Sequence, residues 1–599
     1  MSGARTAGEL HAEDVSFAYV GAARAALRHV DLGVSPGEVV LVTGASGCGK
    51  STLALALCGL IPSRVHGELR GRVTFGGATL SGLKPHEAAQ FVGMVFQNPN
   101  LQLINQTVQS EVAFGPENLA LPQPEIAARV EECLAVTGMA GMRKAAVVTL
   151  SGGQKQRTAI AATLAMQPRV LVLDEPLSDL DPVGAQEVLA TLRRLARRGG
   201  TGVVIIEHRV DEVAPWADRV VLMDDGRVLL DQPPHAAWAD PAPWLAAGVG
   251  IPDMVRLAHA VPGAFGAGLP LSVEEAAGAL KDTWFEAALA AVAAGRARTT
   301  VAAQATARRV PAGPPVLAWD GVSVEFDGKR AVDDVTLAVD EGEWVALIGA
   351  NGSGKSTLTG LTVGLGKPCA GVVRFGGQPV RPGKVFEHAA QVALLLQAAD
   401  DMLFETTVLK ELEFGFRFRA RPKDPVLDVA EAIEFFGFAG REDDSPWELS
   451  QGGRQRLALA ALLVGAPGVL VLDEPTTGQD ADHMRGFLRL LDQVRARTGI
   501  TILTVTHDIR GLASHASRVV LLGEGRVRLD GPASRVFAAA EELARWGVLA
   551  PPLARLQTTL LGQAAADVLL DVGELAAAVL AHRPGAARAG SSPAGALRP

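Results

Sequence analysis

Tyrosine is almost missing from this sequence: Tyr19 is the only one among 599 residues. Cysteine is scarce as well, at Cys48, Cys58, Cys133 and Cys369. These four form no Cys-x-x-Cys pair and no Cys/His ligand spacing, which points away from a structural zinc and towards reduced packing residues. Long apolar runs are lacking too. The mean hydropathy is +0.21, yet stretches such as 285–294 soon meet Arg or Glu. None approaches the ~18–20 residues that a spanning helix needs. The first residues, "MSGARTAGELHAED", hold no apolar signal core, and a cytosolic protein is expected. Positive charge is not in excess. The formal net charge of −9 argues against a nucleic-acid partner.

What the chain does have is itself, twice. "VLVLDEP" at 170–176 returns letter for letter at 469–475, a shift of 469 − 170 = 299. His208 in "IIEHRV" pairs with His507 in "TVTHDI" at the same shift, and "LSGGQKQR" at 150–157 pairs with "LSQGGRQR" at 449–456. "GASGCGKST" at 44–52 returns as "GANGSGKST" at 349–357, where the shift is 349 − 44 = 305. The second copy has therefore lost a few residues early and then keeps step. Fixed-period self-similarity of this kind means two copies of one domain. We expect one at 8–280 and the other at 316–582. Between them, 281–315 includes an Ala-, Arg- and Thr-rich stretch ending in a Pro-Gly cluster and reads as a linker. The tail, 583–599, has too few large apolar residues to fold and is expected to be disordered. Apolar β-like runs alternating with helical patterns predict an α/β fold with a largely parallel sheet in each half.

Both glycine-rich stretches fit G-x-x-x-x-G-K-[ST], and each follows an apolar run and precedes a helix-like segment. Gly44, Gly47 and Gly49 let the backbone curl so that its N–H groups face phosphate oxygens. Lys50 brings a point charge to the β- and γ-phosphates, and Ser51 a hydroxyl to Mg2+, with Thr52 following. Gly349, Gly352, Gly354, Lys355, Ser356 and Thr357 are their counterparts. Each "LDEP" is a buried strand ending in two acids. Asp174 and Asp473 suit the surroundings of Mg2+, and Glu175 and Glu474 are placed to deprotonate a water.

A phosphate loop, then Gln97, "LSGGQ", "LDEP" and His208, in that order, resembles the ATPase domain of ATP-binding cassette proteins. Both halves carry the set, so the resemblance covers most of the chain. It implies two P-loop cassette domains, each with a helical signature subdomain and a small C-terminal extension, that pair internally around two ATP molecules. One site would join Lys50, Ser51, Gln97, Asp174, Glu175 and His208 to Ser450, Gly452 and Gly453. The other would join Lys355, Ser356, Gln397, Asp473, Glu474 and His507 to Ser151, Gly152 and Gly153. Gln97 and Gln397 would reach Mg2+, and the histidines the γ-phosphate. The resemblance also places a ring against adenine at Tyr19, with Phe326 as its counterpart. In the second signature loop Gln451 replaces the first glycine and Gly453 the final glutamine. The groups that the family uses survive, so "LSQGG" reads as a working variant.

"VFQNPNLQLINQTVQSEVAFGPENLAL" at 95–121 is similar to the matching segment of the ATPases of energy-coupling factor importers. The extensions at 251–280 and 550–580 resemble the segments by which those ATPases dimerise. The second half departs at 395–416, which lacks the Asn-Pro. The resemblance implies an ATPase docked on the cytoplasmic face of a membrane, driving uptake of a vitamin, metal ion or other micronutrient. Its partners would be a transmembrane coupling subunit and a substrate-capturing membrane protein. Glu111 and Glu411, at matched positions after the two glutamines, are expected to face the docking groove as partners for arginines of the membrane subunit. A sugar-type tandem importer ATPase and a soluble ribosome-associated tandem factor remain the alternatives.

Overall fold

A computed structural model describes residues 8–584 except 23, 179, 267, 307–313, 327, 389–390, 398, 415–426, 476–480, 508 and 510. The tail beyond 584, and part of the expected linker, lie outside the described residues. The chain divides near Ala276 and Ala277 into two compact units, apart from short exchanged segments.

In the first unit, strands β1 (Leu10–Tyr19), β2 (Leu27–Val34), β4 (Gly67–Phe75) and β5 (Ala78–Thr79) form an antiparallel sheet in the order β2-β1-β4-β5. The second sheet is built on β3 (Val39–Gly44), β6 (Val92–Val95), β7 (Val170–Asp174), β8 (Gly202–Ile206), β9 (Arg219–Asp224) and β10 (Arg227–Gln232). Its order is β10-β9-β3-β8-β7-β6, parallel throughout except for β10. The central strands are apolar along most of their length, as in Val39–Val42, Val170–Leu173 and Val203–Ile206, because both faces are covered. Val40, Val42, Val172, Val204 and Ile206 meet the antiparallel sheet and its neighbours. Leu41, Leu171, Leu173, Val203 and Ile205 face the opposite core, under the helices.

Those helices are α1 (Lys50–Leu57), α2 (Val108–Asn118), α3 (Gln123–Val136), α4 (Gly152–Leu164) and α5 (Pro182–Gly199). Helix α1 leaves the C-terminal end of β3, and β7 delivers its two acids at the same edge of the sheet. A crevice outside the carboxyl ends of parallel strands is where α/β sheets bind ligands. Helices α2, α3 and α4 pack on one another and form the helical subdomain. Two short helices, α6 (Asp253–Ala260) and α7 (Val273–Leu280), follow the sheet.

The second unit repeats the plan. Strands β11 (Leu317–Phe326), β12 (Lys329–Val339), β14 (Ala370–Phe375) and β15 (Gln378–Pro379) form the antiparallel sheet. The strands β13 (Trp344–Ile348), β16 (Val392–Leu395), β17 (Val469–Asp473), β18 (Thr501–Thr506), β19 (Arg518–Gly523) and β20 (Arg526–Pro532) form the other, in the order β16-β17-β18-β13-β19-β20.

Within the expected linker, 281–315, helix α8 (Trp284–Thr306) occupies most of the residues. Alanine supplies high helix propensity over the very stretch whose composition reads as a linker. After α9 (Lys355–Gly360), α10 (Val408–Phe414), α11 (Val429–Phe435), α12 (Gln451–Val464) and α13 (Ala481–Thr498), the chain ends its described part in α14 (Pro552–Leu561) and α15 (Val572–Ala581). Helix α8 packs against α14 and α15. Phe285 and Leu289 are buried, Arg296 pairs with Asp567 at 2.6 Å, and Arg583 lies over the Trp284 ring at 5.0 Å. No helix among the described residues is long and apolar enough to cross a membrane.

Candidate nucleotide sites

The turn from β3 into α1 is the first element of the site in the first unit. Gly49, at φ 108°, caps α1 in the left-handed region. A Cβ there would run into the Ala26 carbonyl oxygen, and one on Gly44 into that of Met223. Only glycine fits, and the result is a loop of backbone at the N-terminus of a helix, the arrangement that cradles phosphate. The Lys50 ammonium is buried and donates to the carbonyl oxygens of Gly44 at 2.9 Å and Ala45 at 2.8 Å. Lys355 does the same to Gly349 at 2.8 Å and Ala350 at 3.0 Å. Tyr19 stands beside this helix, its hydroxyl 2.9 Å from Thr52 Oγ1 and its ring edge-on to Phe17. Its counterpart Phe326 is exposed.

Asp174 and Glu175 end β7 at the mouth of this loop. Asp174 is buried, and its Oδ1 has no hydrogen-bond partner. Burial pushes this carboxyl above the usual range, and the Ser51 hydroxyl draws it back. Asp473 is raised in the same way, with Ser356 Oγ donating to its Oδ1 at 3.4 Å. A buried, under-satisfied carboxylate beside a serine hydroxyl and a phosphate loop fits a hydrated Mg2+. Ser51, Asp174 and Gln97, with Ser356, Asp473 and Gln397, are the residues that would hold it. When bound, the ion neutralises charge on the β- and γ-phosphates.

Glu175 stands at the centre of the first site. Its backbone takes a positive φ of 46° where the strand turns away. Its Oε1 lies 2.8 Å from His208 Nε2, and its Oε2 accepts from Gln97 Nε2 at 2.7 Å. Three residues from three separate stretches of chain thus converge. Glu474 meets His507 at 2.8 Å, but through Nδ1. Gln397 is exposed at the end of β16.

Each signature loop caps a helix. Ser151 Oγ accepts from Gln154 N at 3.3 Å, and Gln154 Oε1 accepts in return from Ser151 N at 3.0 Å. This is a closed capping box. Ser450 Oγ accepts from Gly453 N at 3.2 Å, and Gly453 has no side chain to reciprocate. The two sequence changes in "LSQGG" therefore keep the serine cap and remove one arm of the box. Gly152, Gly153, Gly452 and Gly453 lie in the first turn of α4 and α12, with His483 packed close over Gly452.

Two acids do not do what the sequence led us to expect. Glu111 and Glu411 are buried at 4% and 2% exposure, so neither carboxylate stands in an open groove. Glu111 Oε2 accepts from the backbone of Ile104 at 2.9 Å and Asn105 at 2.6 Å. Glu411 Oε2 accepts from Phe404 at 2.9 Å and Glu405 at 2.7 Å. An acid in the first turn of a helix was free to fold back on the loop before it, and both did. What they leave at the surface is apolar: Leu101, Ile104 and Phe114 in the first unit, Phe404 in the second.

Sequence reasoning passed over Glu207. It is buried at 2% exposure, immediately before His208. The signal was present in the aligned halves, where "IIEHRV" faces "TVTHDI" and an acid stands opposite Thr506.

The ABC transporter family profile matches residues 27–178 and 332–477. A Methanosarcina acetivorans protein, named by inference an ABC transporter ATP-binding protein, is 38% identical over 92% of this chain and 90% of its own. A Bacillus subtilis relative, named by inference the HMP/thiamine import ATP-binding protein YkoD, is 31% identical over 91% of this chain and 95% of its own. Among solved structures, cbiO1 from Clostridium perfringens, described as part of the ABC transporter complex cbiONQ, is 33% identical over 40% of this chain and 93% of its own, with a TM-score of 0.36. Fold and site together define a tandem P-loop ATPase. The chain belongs to the ABC transporter ATP-binding proteins, with two cassettes fused in one polypeptide, and is an ATPase of transport.

Proposed function

We propose that this chain is the energy-coupling ATPase of a micronutrient importer of the energy-coupling factor type. It would bind the cytoplasmic face of the membrane through a separate transmembrane coupling subunit, with a substrate-capturing protein defining the cargo. The observation that carries the importer reading is the end-to-end likeness to the YkoD protein, named for HMP/thiamine import. The similarity of 95–121 and of the two extensions to importer ATPases supports the same reading. The exposed apolar residues beside the glutamine loops, Leu101, Ile104 and Phe114, suit docking of a membrane subunit.

The chemistry follows from each acid–histidine pair. Water attacks the γ-phosphorus, the bond to the β–γ bridging oxygen breaks, and ADP leaves with that electron pair. The water's proton goes to Glu175 or Glu474. His208 and His507 hold those carboxylates, and Lys50 and Lys355 reorient from backbone carbonyls to phosphate. Each site would be completed by the signature serine and glycines of the other half. Co-expression with a transmembrane coupling subunit and a substrate-capturing membrane protein, followed by vesicle uptake assays, tests the reading. ATP-dependent uptake of HMP, thiamine or another micronutrient supports it, and co-purification with ribosomes in place of membrane protein removes it.

A further inference from the structure

The two halves hold their water-activating carboxylates differently, and the difference traces to one position. In the first unit, buried Glu207 collects the backbone donors at the end of β8. Its Oε2 accepts from His208 N at 3.1 Å and Arg209 N at 3.4 Å, and its Oε1 from Leu177 N at 2.8 Å. Arg209 Nη1 donates to the carbonyl oxygens of Leu177 at 2.7 Å and Leu180 at 3.3 Å. The segment after "LDEP" is thereby tied to the histidine strand. Glu175 is left to face side chains at the reaction edge, His208 Nε2 and Gln97 Nε2.

In the second unit the same place holds Thr506, which cannot collect those donors. Glu474 itself takes the one that matches His208 N. Its Oε2 accepts from Thr506 Oγ1 at 3.1 Å, and its Oε1 from His507 N at 3.2 Å, with His507 Nδ1 at 2.8 Å. The carboxylate is drawn back onto the strand end.

Resting on the reading of the chain as an ATPase with two catalytic acids, we propose that position 207/506 sets an asymmetry between the sites. Glu207 is a positioning residue that keeps Glu175 directed at the reacting water, and Thr506 withdraws Glu474. The half carrying Glu175 therefore turns over faster.

Steady-state ATPase of the full chain tests this through two independent arms. Glu175→Gln is expected to remove about tenfold more turnover than Glu474→Gln, and Thr506→Val to narrow that gap by releasing Glu474. Glu207→Gln keeps the shape but sets an NH2 group against backbone N–H donors. It should lower kcat about tenfold with KM for ATP within about twofold, and Glu207→Asp should recover part of the loss. A structural role alone would shift melting temperature without this kcat–KM split. Equal losses from Glu175→Gln and Glu474→Gln, with no response to Thr506→Val, overturn the proposal whether or not Glu207→Gln folds. A wild-type chain that binds ATP and never hydrolyses it would instead overturn the underlying reading.

Discussion

Glu111 Oε2 lies 2.6 Å from the backbone nitrogen of Asn105 and 2.9 Å from that of Ile104. One buried carboxylate oxygen therefore satisfies two consecutive N–H groups of the loop that follows Gln97. Glu111→Gln keeps the volume but loses the charge, and it is expected to cost about 1–3 kcal/mol of stability. Chemical denaturation of the full chain measures it. Docking on membrane protein should weaken as a consequence of a displaced loop. A variant as stable as wild type would mean that these bonds are dispensable.

The apolar residues that this loop presents carry a separate expectation. Leu101→Asp with Ile104→Asp should reduce pull-down of the membrane subunit while leaving ATP affinity of the free chain unchanged. Both side chains are exposed, so folding is spared. Undiminished pull-down would place the docking surface elsewhere.

Glu175→Gln and Glu474→Gln together should abolish turnover and leave nucleotide binding intact, because neither half then has a base for water. Binding is read with a fluorescent ATP analogue and turnover by phosphate release. Near wild-type release would remove both acids from catalysis.

Ser450→Ala should depress hydrolysis in the site containing Lys50, since the serine of one half is expected to meet the γ-phosphate of the other. It also removes an N-cap, which costs about 1 kcal/mol at α12. Ser151→Ala serves as the comparison. If the loss of hydrolysis were confined to the first loop, with Ser151→Ala severe and Ser450→Ala silent, "LSQGG" would be a relic.

The glycine-rich loops between strand and helix were legible because their pattern sets glycine, lysine and serine at fixed spacing, and Gly49 shows why: no Cβ fits against Ala26. The sheet was legible from apolar runs such as 170–173, buried on both faces. Glu111 was not. Its position beside Gln97 is the same whether its side chain faces solvent or folds back onto Asn105, and only the loop geometry decides. Glu207 was missed because an acid before a histidine has no motif of its own. Helix α8 was missed because alanine, arginine and threonine suit both a solvated coil and a helix, and packing on α14 and α15 decides between them.

That packing has a practical consequence for taking the molecule apart. Helix α8 travels with the second half, through buried Phe285 and Leu289 and the Arg296–Asp567 pair. A gene split to express the halves as separate polypeptides belongs at Asp282 and Thr283, ahead of the helix. A break placed after Thr306 would leave the second polypeptide with a bare apolar strip across α14 and α15 and the first with an orphaned helix.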